Sequence, residues 1–269
     1  MIIPEINKTF SANRRNFGKA VMASILGTFL PQSSAWATSG NILPGKNNDD
    51  YKRIKELLTD KEPKIWVFTG DSITHGVKHT HGERSYPEIF QERIRYEMGR
   101  YRDVVINTGI SGHTTDHLLK DFEWRIAHFK PAVVSIMIGT NDCAKEKVSR
   151  TDYRQNLITL ASKIRAEGTV PIFHTPNSII LEKAAERQTL PDYVKIMQEV
   201  ASQENIILVD NHKLWQETDM LLVHKEWLND PLHPNGKGHL QIAREMFRTL
   251  EIFDPAYPTC GAPYYEGEH

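Results

Sequence analysis

The chain has 269 residues, a quarter of them charged, with 33 basic against 34 acidic side chains and a formal net charge of −1. That length buries a sizeable core in one enzyme-sized domain, and the composition excludes a disordered or low-complexity chain. Without a dense Lys/Arg stripe interleaved with aromatics, nucleic acid is not an expected partner.

The first 37 residues carry Asn13-Arg14-Arg15-Asn16-Phe17-Gly18-Lys19, a mildly apolar run from Ala20 to Leu30, and small residues at Ala35 and Ala37. This order resembles a twin-arginine export signal, with the arginine pair as a receptor-read address and cleavage near Ala37. An ordinary amphipathic helix does not account for all three features together. The expected mature chain begins near Thr38, in the periplasm or outside the cell, and retains 29 of the 33 basic and 33 of the 34 acidic residues. Gly27 and Pro31 interrupt the apolar run, which falls short of the roughly 20 residues a spanning helix needs. No later segment reaches that length, so the mature protein is expected to lack a membrane span.

Residues 38–63 read as a polar linker and a short helix, Tyr51 to Leu58, with Asp49 or Asp50 as its N-cap. The main domain is expected over 64–254, with a tail at 255–269. Strands are predicted at Ile65–Thr69, Val104–Thr108, Ala132–Ile138, Val170–His174 and Ile206–Asp210, where β-branched residues cluster. Helical periodicity marks Pro87–Arg100, Asp116–Phe129, Asp152–Glu167, Pro191–Glu204 and Gly236–Leu250. Alternating units of this length imply an α/β domain with a parallel sheet covered on both faces, and the nearly all-apolar third strand belongs at its centre. Ligands in such sheets bind beyond the carboxyl ends of the strands, near the switch in strand order. Cys143 and Cys260 read as free thiols; a disulfide is the alternative if the tail returns to the loop holding Cys143.

The first strand stops at Gly70, followed by Asp71 and Ser72, which is how a strand end presents a nucleophile. A serine there more often merely turns the chain, so the reading depends on what reaches the same place. Three other segments do: Asn107-Thr108-Gly109-Ile110-Ser111-Gly112, Gly139-Thr140-Asn141-Asp142 and Asp230-Pro231-Leu232-His233. Ester chemistry needs a nucleophile, a base, an acid that orients the base, and donors for the oxyanion. Ser72, His233 and Asp230 fit the first three roles, and Pro231 and Pro234 stiffen the turn that carries acid and base. The backbone N–H groups of Ser72 and Gly112 and the amide of Asn141 fit the fourth, with Gly109 an alternative to Gly112.

Together the four segments resemble the sequence blocks of the SGNH hydrolases, or GDSL esterases, over roughly Lys64 to Leu250, with Ile73 where the family's name has leucine. The resemblance implies a three-layer α/β/α, flavodoxin-like fold with a five-stranded parallel sheet, a serine nucleophile and no metal or other cofactor. Asp71 and Asp142 are expected to brace their loops through backbone N–H groups, and His75 and His113 to lie near substrate. His79, His81 and His117 read as solvated rim and not as metal ligands.

The resemblance also implies hydrolysis of an oxygen ester or thioester. An exported protein with a polar rim points to a short acyl group, acetyl above all, on a small molecule or polysaccharide. Tyr86, Tyr193, Trp215 and Trp227 are candidates for stacking on sugar faces. A lipase or thioesterase, an acyltransferase, and a non-catalytic carbohydrate-binding protein are the alternatives.

Overall fold

Five segments rich in β-branched and aromatic residues pair in the computed structural model, which describes residues 49–264, all within one compact unit. They are β1 (Ile65–Gly70), β2 (Val104–Asn107), β3 (Val133–Met137), β4 (Val170–His174) and β5 (Ile207–Val209). All pairings are parallel, in the order β2-β1-β3-β4-β5. β3 is therefore central, and each of its five residues is buried, as its apolar run predicts. Strand order reverses between β1 and β3, which places a crevice at their carboxyl ends. Gly70 pairs with Met137, so the two strands finish level at that crevice.

The helices are α1 (Asp49–Thr59), α2 (Ser72–His75), α3 (Tyr86–Glu92), α4 (Thr115–Lys120), α5 (Phe122–Arg125), α6 (Arg150–Ala166), α7 (Leu190–Gln203), α8 (Asn211–Gln216), α9 (Met220–Leu222) and α10 (Gly236–Thr249). Alternate strand residues feed two cores. Val67 and Val134 join Leu157 and Leu160 of α6 and Met197 and Val200 of α7 on one face. On the other, Trp66 and Phe68 meet Phe90 of α3 at ring-centroid distances of 5.2 and 4.9 Å, with Phe247 of α10 behind it at 6.4 Å. The result is a three-layer α/β/α fold.

The helical segments depart from expectation where long side chains intervene. The stretch Pro87–Arg100 starts at Tyr86, but α3 gives way after Glu92 to a π-helical turn over Arg93–Glu97. Arg93 sits in that widened turn and donates through Nε and Nη2 to the Ile252 carbonyl at 2.9 and 2.6 Å. The stretch Asp116–Phe129 is broken at Asp121 into α4, α5 and a 3₁₀ turn over Ala127–Phe129. The break lets the buried Arg125 turn into the sheet edge, where it donates to the carbonyls of Thr108 and Gly70 and to Thr69 Oγ1 at 3.1, 2.9 and 2.9 Å.

At the N-terminal side α1 is part of the packed body, because Ile54 is fully buried in the same core as Trp66. Asp49 and Asp50 lie in its first turn instead of capping it, and Asp50 pairs with Arg165 at 2.6 Å. The C-terminal segment also returns to the domain: the Thr259 N–H donates to Glu97 at 2.9 Å, and Cys260 is buried. Both cysteines are free. No helix among the described residues is long and apolar enough to cross a membrane. The export segment, most of the expected linker and residues 265–269 lie outside the described residues.

Candidate active site

β1 ends in a turn that only glycine fits. Gly70 has φ +153°, and a Cβ there would lie 2.0 Å from the Met137 carbonyl oxygen. Asp71 follows as N-cap of the one-turn α2, its Oδ1 accepting the Ile73 N–H at 3.0 Å. Ser72, the first residue of α2, is thereby held at the crevice.

The Ser72 Oγ lies 2.9 Å from His233 Nε2, across 161 residues of sequence. His233 Nδ1 lies 2.7 Å from Asp230 Oδ2. With Nδ1–H donated to the carboxylate, Nε2 is the acceptor for the serine hydroxyl. The other carboxylate oxygen, Oδ1, accepts the N–H groups of Leu232 and His233, each at 2.8 Å. Partial burial pushes the Asp230 carboxyl up, but the His233 ring and these backbone donors outweigh it and hold it below the usual range. The loop is pinned by Ile180 N–H to the Pro231 carbonyl at 2.8 Å and by Asn229 N–H to the His233 carbonyl at 2.9 Å. One turn thus positions the carboxylate and the imidazole together.

The two glycines of the second segment divide their work. Gly109 is buried, a Cβ there would approach His75 N to 2.6 Å, and its N–H is taken by Asn107 Oδ1 at 2.9 Å. It is a packing glycine. Gly112 is exposed with φ +82° and open space where a Cβ would stand. Ile110 N–H donates to the Gly70 carbonyl at 3.0 Å, which ties this loop to the turn that leads into Ser72. Asn141 is buried; its amide donates to the His113 carbonyl at 3.2 Å and accepts from Arg187 Nη2 at 3.4 Å, leaving one amide N–H for a ligand. Arg187 also donates through Nε to the Thr140 carbonyl at 3.1 Å.

Asp142 Oδ1 accepts from the Thr115 N–H and Oγ1 at 2.8 and 2.6 Å, so it ties its loop to the start of α4, 27 residues away, instead of bracing it from within. Burial pushes its carboxyl up to about 6. Asp71, fully buried, is pushed up to about 7, first by desolvation and then by the like charge of Asp142. His75 Nδ1 lies 3.0 Å from Ser111 Oγ, and the His113 ring packs against His117 at 4.6 Å. His81 lies in the exposed turn between α2 and α3.

The aromatic side chains read as sugar platforms are not at the surface. Trp215, Tyr86 and Tyr193 are fully buried, and the half-buried Trp227 packs edge-on against Trp215 at 5.2 Å. Their apolar rings fill the cores while Tyr86 Oη reaches Thr74 Oγ1 at 3.0 Å. Three residues that sequence reasoning did not place in the site brace it: Arg125, Arg187 and His79, whose ring stacks on His233. Arg125 and Arg187 reach in from distant segments that no local spacing marks, whereas His79 lies in the loop after α2 and had read as solvated rim.

The sequence model of the GDSL-like Lipase/Acylhydrolase family matches residues 68–240. An acetylxylan esterase of Geobacillus stearothermophilus is 30% identical over 206 residues, covering 68% of this chain and 92% of that protein. An uncharacterized protein of Mycoplasma pneumoniae is 31% identical over 160 residues, 56% of this chain, which spans only 18% of that longer protein. The crystal structure of a lipase/acylhydrolase from Enterococcus faecalis superposes with a TM-score of 0.60 at 25% identity, covering 70% of this chain and 95% of that one.

Proposed function

The chain belongs to the GDSL-like lipase/acylhydrolase family and is a carboxylic ester hydrolase, and on that premise we propose that Ser72, His233 and Asp230 are its catalytic triad. The observation that carries this is the continuous line of hydrogen bonds, 2.9 Å from serine to imidazole and 2.7 Å from imidazole to carboxylate. Ser72 Oγ attacks the acyl carbon as His233 Nε2 takes its proton, and Asp230 holds the resulting imidazolium. The tetrahedral oxyanion is stabilised by the N–H groups of Ser72 and Gly112 and the free amide N–H of Asn141. Collapse expels the alcohol, which receives the proton from His233, and water repeats the sequence on the acyl-enzyme.

The proposed substrate is a short-chain ester, acetyl on a carbohydrate. Two observations support it: the similarity to a protein named acetylxylan esterase, and the exposed polar residues around Ser72, among them His75, Ser111 and Asp230. With Tyr86, Tyr193 and Trp215 buried and the half-buried Trp227 packed on Trp215, stacking gives no support. Acetate release from acetylated xylo-oligosaccharides, measured against p-nitrophenyl esters of graded chain length, tests this. A higher kcat/KM for octanoyl than for acetyl esters would turn the reading to a lipase. Ser72→Ala and His233→Ala should each abolish nearly all turnover, and the double variant should be hardly worse.

Export through residues 1–37 is proposed on the arginine pair, the apolar run and the Ala35 and Ala37 site. Arg14→Lys with Arg15→Lys should leave precursor in the cytoplasm, since lysine lacks the planar guanidinium. Normal export of that variant would remove the twin-arginine reading.

A further inference from the structure

The ring of His79 lies flat against that of His233, with centroids 3.8 Å apart and planes at 14°. The position is held from two sides. Asn229 Nδ2 donates to the His79 carbonyl at 2.7 Å, joining this loop to the segment that carries acid and base. Ser111 Oγ lies 3.4 Å from His79 Nε2 and 3.0 Å from His75 Nδ1, joining it to the loop that presents Gly112.

Donor atoms of His79, Asp230 and His233 all lie within 4.8 Å of one another, a spacing that invites a metal ion. The ring geometry argues otherwise. Imidazole lone pairs lie in the ring plane, so two stacked rings do not converge on one ion, and both His233 nitrogens already face Asp230 and Ser72.

We infer that His79 is a positioning residue, fixing the plane of the His233 imidazole by stacking and adding its own protonation as a second step to the acid limb of turnover. The inference rests on the triad assigned above. The bonds from His233 to Ser72 and Asp230 run in the ring plane and restrain out-of-plane tilt weakly; a ring on the face restrains it directly. When His233 becomes an imidazolium, a neutral His79 offers it an aromatic face, whereas a protonated His79 repels it.

The charged and titratable groups around His79 are His233 and Asp230 from the catalytic loop, Lys78 and His75 from its own, and His239 from α10, which burial keeps neutral. Burial lowers the His79 pKa first, the like charges of His233, Lys78 and His75 push the same way, and Asp230 opposes them. His79 is therefore neutral at neutral pH and gains its charge only on the acid side.

The test compares the full chain with its His79→Phe, His79→Ala and His233→Ala variants on p-nitrophenyl acetate across the acid and neutral range, with circular dichroism as a check of folding. Phenylalanine keeps a stacking face and cannot be protonated. His79→Phe should keep kcat within about threefold near neutrality, and its acid limb should stay at a slope of one where the parent limb steepens towards two. His79→Ala should lose about five- to tenfold in kcat with little change in KM, the size of one aromatic stack. A folded His79→Ala enzyme with the parent's kcat and pH profile overturns the inference, as does a His79→Phe enzyme as impaired as His79→Ala. His233→Ala separates the two levels: if it turned over ester, the triad itself would fall, whatever the His79 variants did.

Discussion

The amide of Asn141, a proposed oxyanion donor, is partly engaged in the fold: one N–H is spent on the His113 carbonyl, and the oxygen on Arg187. Replacing it by alanine removes a donor that matters most when the oxyanion forms, so kcat should fall roughly a hundred- to a thousandfold with KM little changed. Arg187→Ala should cost less, about tenfold, because it loosens the amide without deleting it. Steady-state kinetics on one short-chain ester checks both; a folded Asn141→Ala enzyme with normal kcat would move the oxyanion role elsewhere. Asp71 makes a prediction of a different kind. Its folded pKa of about 7 stands above the ordinary 3.8, so between those values the folded state binds more protons than the unfolded one. That contribution to stability is present at low pH, is lost as pH rises through this window, and levels off above about pH 7. Asp71→Asn keeps the acceptor for Ile73 and stays neutral, so its Tm relative to the parent should climb from pH 5 to pH 8. Parallel Tm curves would show that Asp71 is not protonated in the fold. At this scale the motif residues were legible because short turns bring them to the strand ends, and Asp71 was legible as the brace of its own turn, whereas the reach of Asp142 to α4 was not. Arg125 and Arg187 were not, since a long side chain arriving from elsewhere leaves no local pattern; His79 was visible as a loop histidine, but its stack on His233 was not.

Helix α10 begins just after the loop that carries Asp230 and His233, and its first turn leaves no room for a side chain at Gly238. A Cβ on Gly238 would stand 2.3 Å from the Trp227 carbonyl oxygen, 2.9 Å from Pro234 Cβ and 3.2 Å from the Trp215 ring. Gly238→Ala should therefore cost about 1–3 kcal/mol by overpacking, read as a lower Tm. Because Trp227 and Pro234 flank the segment carrying Asp230 and His233, kcat should fall as well; unchanged stability and kcat would mean that the loop yields without consequence. The strands were readable to within a residue or two, since buried parallel strands declare themselves as apolar β-branched runs. Two helices were not, because a π turn at Arg93 and a break at Asp121 are settled by where two arginines find their acceptors. Nor did the sequence separate platform aromatics from core ones: the same Trp and Tyr residues satisfy either role until the layers are assembled.

Across the whole molecule, the sheet order and the placement of four loops at one edge follow from alternating strands and helices, and were legible. The extent of the packed body was less so. α1 and the segment around Cys260 contribute to one core from outside the expected limits of the domain, and only tertiary packing reveals that. The order of the working parts along the chain has a further consequence. The proposed nucleophile and oxyanion donors are all present by Asn141, while the proposed acid and base arrive at Asp230 and His233, just ahead of helix α10. A chain still being synthesised can assemble the crevice and most of the sheet and yet remain chemically silent. Its serine has no proton acceptor until contacts 161 residues apart have closed. Ester turnover is thus a report that the whole body has folded, and fragments ending before residue 233 should be inert however well their sheet is formed.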